Sequence, residues 1–391
     1  MQMNRMGSVY GLCVVGIIFL LAGCASQQGE YRYAVPPQAD DGWEVASLQA
    51  EGMDPAPLEQ MMDVMTGTEG HNIHGILIFR NGKLLFEEYF EGYLYSSDPP
   101  GSNGDFIQYD SETDHYLASV SKSITSVVFG AAVKEGLIES VDQKVVDMLS
   151  EYEEILTGEK AEITLEHMLN MASGLPWDET SASYGDPAND VTALFLSADP
   201  IEHILSGEMV ASPGETFLYN SGTTNVLGAV VQKAAGMSLL DFGNQMLFDP
   251  LNIQGGVWQR IAGGHYFASG GIFLRPRELA KIGFLFLNDG YWGDHQVITR
   301  EWIDASTQEH IVTGGKTLSW AHAYGYQWWH TDFHVSGEVY PCFHAAGWGD
   351  QYMFIFPDLD LITVINGGNY SSSGSLSILF LMEEFILASV Q

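Results

Sequence analysis

The chain has 391 residues, of which 46% are hydrophobic, enough for a large core or two lobes. Fifty acids face fifteen bases, a net charge of −35, and such a surface repels nucleic acid and anionic lipid headgroups. The acids are spread along the chain rather than run into a tail, so they read as a solvated surface and not as a cation-binding device.

Arg5 is the only charge before an apolar run, Leu12 to Leu21, that is too short for a comfortable membrane span. The run ends in Leu21-Ala-Gly-Cys24. Small residues before a cysteine, directly after such a run, resemble a bacterial lipoprotein cleavage box. Residues 1–23 are therefore expected to be a signal peptide and Cys24 the lipidated N-terminus of an exported, membrane-anchored protein. With Cys24 lipidated, Cys342 is then the only free thiol of the mature chain, which excludes an internal disulfide and cysteine-based zinc sites.

Residues 24–41 are polar, contain Pro36-Pro37 and read as a tether. A helical pattern follows from Leu48 to Met65. Gly75 to Phe79 and Leu84 to Tyr89 are strand-like runs around Asn81-Gly82, a dipeptide that favours a type I′ hairpin turn. Asp98 to Thr113, rich in Pro, Gly, Ser and Asp, reads as a loop.

Leu117-Ala-Ser-Val-Ser-Lys-Ser-Ile124 opens the next helix, with Val120, Ile124, Val127, Val128 and Ala131 at helical spacing and Gly136 as a stop. Ser119 and Lys122 form the only S-x-x-K match in the chain. On a helix, residues three apart share a face, so the amine can reach the hydroxyl. A desolvated lysine with a lowered pKa can serve as base for a serine nucleophile. Taken alone, the match reads first as an ordinary helix start with a solvated lysine, and only further motifs tip it toward catalysis.

Val141 to Leu156 and Thr164 to Met171 look helical, the latter with Thr164 as N-cap. Ser181 to Pro200 is loop-like, and Ile201 to Leu205 is a short helix. Tyr219-Asn-Ser221 stands at a turn before an apolar helix, Val226 to Ala235, and a tyrosine beside a lysine can shuttle a proton. Downstream, His344-Ala-Ala-Gly-Trp-Gly-Asp-Gln351 runs into strands Tyr352 to Phe356 and Leu361 to Asn366. A glycine-rich strand edge admits a substrate closely, and its free N–H groups can stabilise an oxyanion. A helix near Leu376 to Ala388 closes the chain.

Together these pieces resemble the serine β-lactamase and penicillin-recognising superfamily, in its class C-like branch. That branch includes family VIII carboxylesterases, D-aminopeptidases and 6-aminohexanoate-dimer hydrolases. The resemblance runs from about Ala46 to the C-terminus. It rests on Ser119-Val-Ser-Lys, Pro213-Gly-Glu-Thr-Phe-Leu-Tyr-Asn-Ser-Gly, Phe248-Asp-Pro-Leu and Ser269-Gly-Gly in that order. It implies an α+β fold, an antiparallel sheet flanked by helices beside an all-helical lobe, with the active site between them. The sheet lobe would take residues 42–118 and 265–391, and the helical lobe 119–264. It also implies Ser119 as the acylated nucleophile, Lys122 as its base and Tyr219 as the second proton-transfer group. The Ser119 N–H and one near Gly349 to Gln351 would form the oxyanion hole, with Ser221, His344, Gly347, Trp348 and Asp350 around the substrate. No cofactor or metal is implied.

Two departures bear on substrate. Ser221 stands where lactamase members carry Asn, and their Lys-Thr-Gly motif is absent. Lys316-Thr317 is followed by Leu318 and is read as a decoy, leaving His344 or Trp348 for the corresponding region. His330, His334 and His344 lack a helix and a placed carboxylate for zinc. No G-x-S-x-G, H-E-x-x-H, P-loop or dinucleotide fingerprint occurs. The expected function is a serine hydrolase acting on a small ester or amide. A non-catalytic sensor of cell-wall fragments, and a β-lactamase or D-peptidase, stay open as alternatives.

Overall fold

The computed structural model describes residues 30–254, 256–371 and 374–391. Residues 1–23, expected to be a signal peptide, and Cys24 lie outside the described residues. Among these residues the central element is a nine-stranded sheet whose middle joins the two ends of the chain: Ile73–Arg80 pairs antiparallel with Leu361–Gly367, Thr363 opposite Ile78. From Ile73–Arg80 the sheet runs outward through Lys83–Tyr89 to Glu44–Val45. From Leu361–Gly367 it runs the other way through Gln351–Phe356, Glu338–Gly347 and Trp329–Val335 to two short edge strands. The Asn81-Gly82 turn forms as expected, with φ of 52° and 72° and Arg80 directly opposite Lys83.

Successive side chains on these strands face opposite ways, so an almost continuous apolar run feeds two cores. Leu77, Phe79, Met353, Ile355, Ile362 and Val364 join the core that holds Val120–Lys134 and Pro276–Leu287. Ile76, Ile78, Phe354, Phe356 and Ile365 join a second core with Pro55–Thr66 and the C-terminal helical turns from Ile378 to Ser389. The fold is thus α+β, a sheet covered by helices on both faces.

The amphipathic pattern read at Val120–Lys134 understates its burial. Every residue from Val120 to Ala132 is buried, the hydroxyl face included. Ser123 Oγ donates to the Gln327 carbonyl at 2.7 Å, Thr125 Oγ1 donates to the Ala268 carbonyl at 2.7 Å, and Ser121 Oγ accepts from Ile272 N at 3.1 Å. Each bond satisfies a group whose burial would otherwise oppose folding. The partner helix, Ser221–Ala235, begins five residues before its apolar run because Asn220 caps it, accepting from Thr223 N at 3.2 Å.

Four segments differ from their expected form. Residues 30–41 are not a free tether: Tyr33 donates to the Leu85 carbonyl at 2.8 Å, and Asp41 pairs with Arg277 at 2.9 Å. Aromatic anchors outweigh the polar composition there. The expected loop at Asp98 to Thr113 is largely the second strand of a hairpin, Glu91–Ser97 with Pro100–Gln108. It forms its own two-stranded sheet outside the central one, so its apolar alternation is weak. Within the expected loop at Ser181 to Pro200, Asn189 caps a helix, Asp190–Leu196. The helix expected from Val141 to Leu156 is reduced to Val145–Met148 and a 3₁₀ turn, because Leu149 leaves helical geometry at φ −120°.

Arg277, on the Pro276–Leu287 helix, ties the N-terminal segment to the central sheet. Its guanidinium grips the Glu87 carboxylate with two hydrogen bonds, and the two side chains are only 6% and 4% exposed. It also reaches Asp41 and the Pro37 carbonyl. Replacing Arg277→Leu leaves the Glu87 carboxyl group buried without its partner, which should destabilise the fold by about 3–5 kcal/mol. Urea denaturation should show most of that loss restored in the Arg277→Leu, Glu87→Leu double variant; an undiminished loss would show that shape, not charge, sets the cost.

Candidate active site

Ser119 stands at the first turn of the buried helix, directly after Ala118, whose φ of 45° is a left-handed conformation unusual for alanine. This turn aims the hydroxyl back at Lys122, whose Nζ lies 2.8 Å from Ser119 Oγ and 3.0 Å from the Ser269 carbonyl. In the neutral amine, the Ser269 carbonyl takes an N–H and the lone pair is free to accept from Ser119. Burial lowers the Lys122 pKa to about 8, against an opposing pull from Glu179. The amine also sits 4.8 Å from the centre of the Tyr219 ring.

Tyr219 lines the cleft beside Ser119. Burial, with Glu179 next in weight, raises its pKa well above the ordinary value, and a hydrogen bond with Ser119 opposes the rise. Tyr219 is therefore a phenol at neutral pH, able to pass a proton but not to act as a standing anionic base. Its ring stacks on Trp329 at 5.4 Å, which fixes its direction. The three residues expected from sequence meet at one point.

Gly347 leaves open the space beside the Ser119 N–H. A Cβ there would come within 2.5 Å of the Leu117 carbonyl and 3.1 Å of Ser119 N. The Ser119 N–H, at a helix N-terminus, thus faces a strand edge that only glycine leaves open. Gly349, at φ 86°, packs against the Tyr370 ring, and Asp350 turns at φ 65° to line the cleft, its carboxylate held by Asn369. Burial raises the Asp350 pKa above the ordinary carboxylate value.

Two expected site residues lie elsewhere. His344 is fully buried, stacked under Trp320 at 4.8 Å, with Nε2 3.1 Å from Thr331 Oγ1. It does not line the cleft, because the Trp320 ring covers it. Gln351 is also fully buried: its amide nitrogen donates to the Gly349 and Gly367 carbonyls, and Asn366 donates to its oxygen. It shapes the Gly347–Gly349 turn instead of meeting substrate. Trp348, by contrast, stands in the cleft wall and not beneath the strand. Lys316 is exposed and outside the cleft lining, although Thr317 and Leu318 belong to it. Among the described residues no group of three or more His, Cys, Asp or Glu could hold a metal ion.

Sequence reasoning missed Glu179. It is 8% exposed, and its Oε2 accepts from Ser221 N at 3.1 Å and from Trp177 Nε1. It lines the cleft and acts electrostatically on both Lys122 and Tyr219. No local motif marks it; its position depends on a contact across 42 residues of sequence. Ser221, bound through its own N–H to Glu179, lines a second cavity.

Ser119 opens on both spaces. The larger is a cleft of about 590 Å³, with Glu179, Tyr219, Gly347, Asp350 and the Thr317–Trp320 segment in its walls. The smaller is a cavity of about 260 Å³ toward the Glu91–Gln108 hairpin and the Asp190–Leu196 helix. Tyr184 and Trp348, their rings 4.5 Å apart, border both.

The Beta-lactamase family model matches residues 58–367. A 6-aminohexanoate-dimer hydrolase of Paenarthrobacter ureafaciens is 25% identical over 273 residues, which cover 65% of this chain and 63% of that protein. The match thus spans less than two thirds of that relative's length. Among solved structures, a penicillin-binding protein homologue from Caulobacter crescentus superposes with a TM-score of 0.67 at 16% identity, covering 85% of this chain and 97% of that one. A family VIII carboxylesterase superposes with a TM-score of 0.62 at 14% identity, covering 85% and 96%. With a family match over most of its length and the serine, lysine and tyrosine in contact, the chain belongs to the Beta-lactamase family, within the serine β-lactamase-related superfamily.

Proposed function

We propose that the protein is a serine hydrolase that cleaves esters or small amides through an acyl-enzyme on Ser119. The observation that carries this reading is the 2.8 Å contact between Ser119 Oγ and a buried amine whose pKa has fallen to about 8. Neutral Lys122 takes the Ser119 proton as Oγ attacks the carbonyl carbon. The developing oxyanion lies against the Ser119 N–H in the space beside Gly347. As the tetrahedral species collapses, the proton passes from Lys122 by way of Tyr219 to the leaving oxygen or nitrogen, and water reverses the sequence to free the acid. A non-catalytic binder would need none of this proton path.

The cleft argues for esters over β-lactams. A lactam's carboxylate would face Glu179 and Asp350, with no lysine or arginine in the described cleft wall to receive it. Ser221 lies in the other cavity, its N–H committed to Glu179, and its short side chain cannot replace an asparagine amide. Losing one charge-assisted bond costs about 1.5–3 kcal/mol, roughly 10- to 150-fold in binding. We further propose that Cys24 carries a lipid and holds the enzyme on the outer side of a membrane, on the strength of the Leu21-Ala-Gly-Cys24 box. Mass spectrometry of the mature N-terminus should find a diacylated Cys24; an unmodified peptide through Gly23-Cys24 refutes the anchor.

A fluorophosphonate probe should add one label per chain, on Ser119, and none in Ser119→Ala. Lys122→Ala should lower kcat by about 10²–10⁴-fold. On one preparation, kcat/KM for a short-chain p-nitrophenyl ester should exceed that for nitrocefin by at least about tenfold; the reverse order refutes the ester reading.

The pH profile follows from the base. Only neutral Lys122 accepts the proton, so kcat/KM should rise as pH increases through about 8 and then level. Glu179 raises the Lys122 pKa, so Glu179→Gln should move that rise to lower pH. A profile that is flat from pH 6 to 9, or one that moves upward in Glu179→Gln, would exclude Lys122 as the base.

A further inference from the structure

We infer that the smaller cavity is an acyl pocket built by the Glu91–Gln108 hairpin, and that the preferred substrates carry an apolar acyl group of medium length. The inference rests on the acyl-enzyme reading above and adds the substrate class.

Direction comes from the proton path. Tyr219 lines the larger cleft but not the smaller cavity. The leaving group must receive its proton from Tyr219, so it departs into the larger cleft. The acyl chain, bonded to the same carbonyl carbon, then points to the other side of Ser119. That side is the cavity of about 260 Å³.

Its walls are mostly apolar. Tyr95 stacks on Tyr116 at 4.0 Å, Phe195 meets Phe267 edge-on at 4.8 Å, and Val191 and Trp348 stand beside them; the polar members of the lining, Thr192, Ser221, Gln259 and Ser269 among them, are uncharged. The hairpin is pressed into place: a Cβ on Gly101, where φ is 76°, would come within 2.3 Å of the Trp348 ring. Neither Glu179 nor Asp350 borders this cavity, and no charged side chain does. At roughly 30 Å³ for a methylene-sized group, about the share of one water in liquid, the space holds an acyl group of about six to nine heavy atoms. Each methylene buried there should raise kcat/KM about fourfold until the pocket is full.

Ser97, an exposed residue at the hairpin rim, lines the mouth of this cavity and permits a test. Measure kcat/KM for p-nitrophenyl acetate, butyrate, hexanoate and dodecanoate, and for acetate esters of larger alcohols, with wild type and Ser97→Trp. The values should climb from acetate to hexanoate and fall at dodecanoate. Ser97→Trp should cut the hexanoate-to-acetate ratio at least about tenfold. Acetate preferred over hexanoate, or a Ser97→Trp effect confined to the alcohol series, overturns the assignment while leaving the ester reading intact.

Binding of alkylboronic acids, which bond Ser119 without turnover, gives a second measure by tryptophan fluorescence. Affinity should grow from methyl to hexyl in wild type, and the growth should be lost in Ser97→Trp. Equal affinities across the series overturn the pocket. Failure of Ser119 to bond any boronate or fluorophosphonate refutes the acyl-enzyme reading itself, and the acyl pocket with it.

Discussion

The chemistry depends on one constraint: a lysine amine kept out of water at the centre of the molecule. Lys122 is 1% exposed, on a helix whose whole circumference is enclosed. Desolvation penalises the ammonium form, and the pKa of about 8 replaces an ordinary value of 10.5. At pH 7 roughly one molecule in ten then holds a neutral amine, some 300-fold more than a solvated lysine would supply. The surrounding architecture serves that burial. The Ser269 carbonyl gives the amine a partner, and Asn225 holds that segment by donating to Ser269 Oγ at 2.9 Å and accepting from Ala268 N at 2.9 Å. Gln327 links the two buried helices to the Met168–Leu169 turn.

The parts legible in sequence are those whose chemistry and geometry are both local. Ser119 and Lys122 share a helical turn, so their spacing already states their contact. The Asn81-Gly82 hairpin and the Thr164 cap are equally local, and the cap forms as a reciprocal pair with His167. Tyr219 lies far from Ser119 in sequence; the ordered motifs of the family, not spacing, placed it. What failed depends on tertiary placement. His344 and Ala346 point to the same side of one strand, yet only Ala346 reaches the cleft, because Trp320 lies over the histidine. No strand period reveals which residue a distant tryptophan will cover. Gln351 is polar and next to the glycine turn, features equally suited to substrate binding and to bracing that turn. Its bonds to Gly349, Gly367 and Asn366 decide for bracing.

The hairpin from Glu91 to Gln108 illustrates a different limit. A strand announces itself through a buried face, and this hairpin has little of one. Tyr93 and Phe106 are 42% and 56% exposed, and the pairing shifts register twice. Tyr95, Ser97 and Pro100 border the smaller cavity and few of its residues fill a core, so the composition reads as loop. Segments that form a substrate wall on an established fold are expected to look irregular for this reason.

Electrostatics in the site is correspondingly local. The surface carries a net charge of −35, which would favour the ammonium form of any lysine that felt it. At physiological ionic strength the Debye length is about 8 Å, so most of that charge is screened before it reaches a buried amine. Glu179 is not screened in this way, being 8% exposed in the cleft wall. One of its oxygens is fixed by Ser221 N and the Trp177 indole, which holds the carboxylate at a set distance from the amine. Burial lowers the Lys122 pKa while Glu179 limits the fall, and the balance lies near the pH at which a base is both free and strong enough to act. The same carboxylate helps keep Tyr219 a phenol. An acid that the sequence does not single out thus acts beside burial on the protonation of both Lys122 and Tyr219, and together with Asp350 it makes the larger cleft unfavourable to anions.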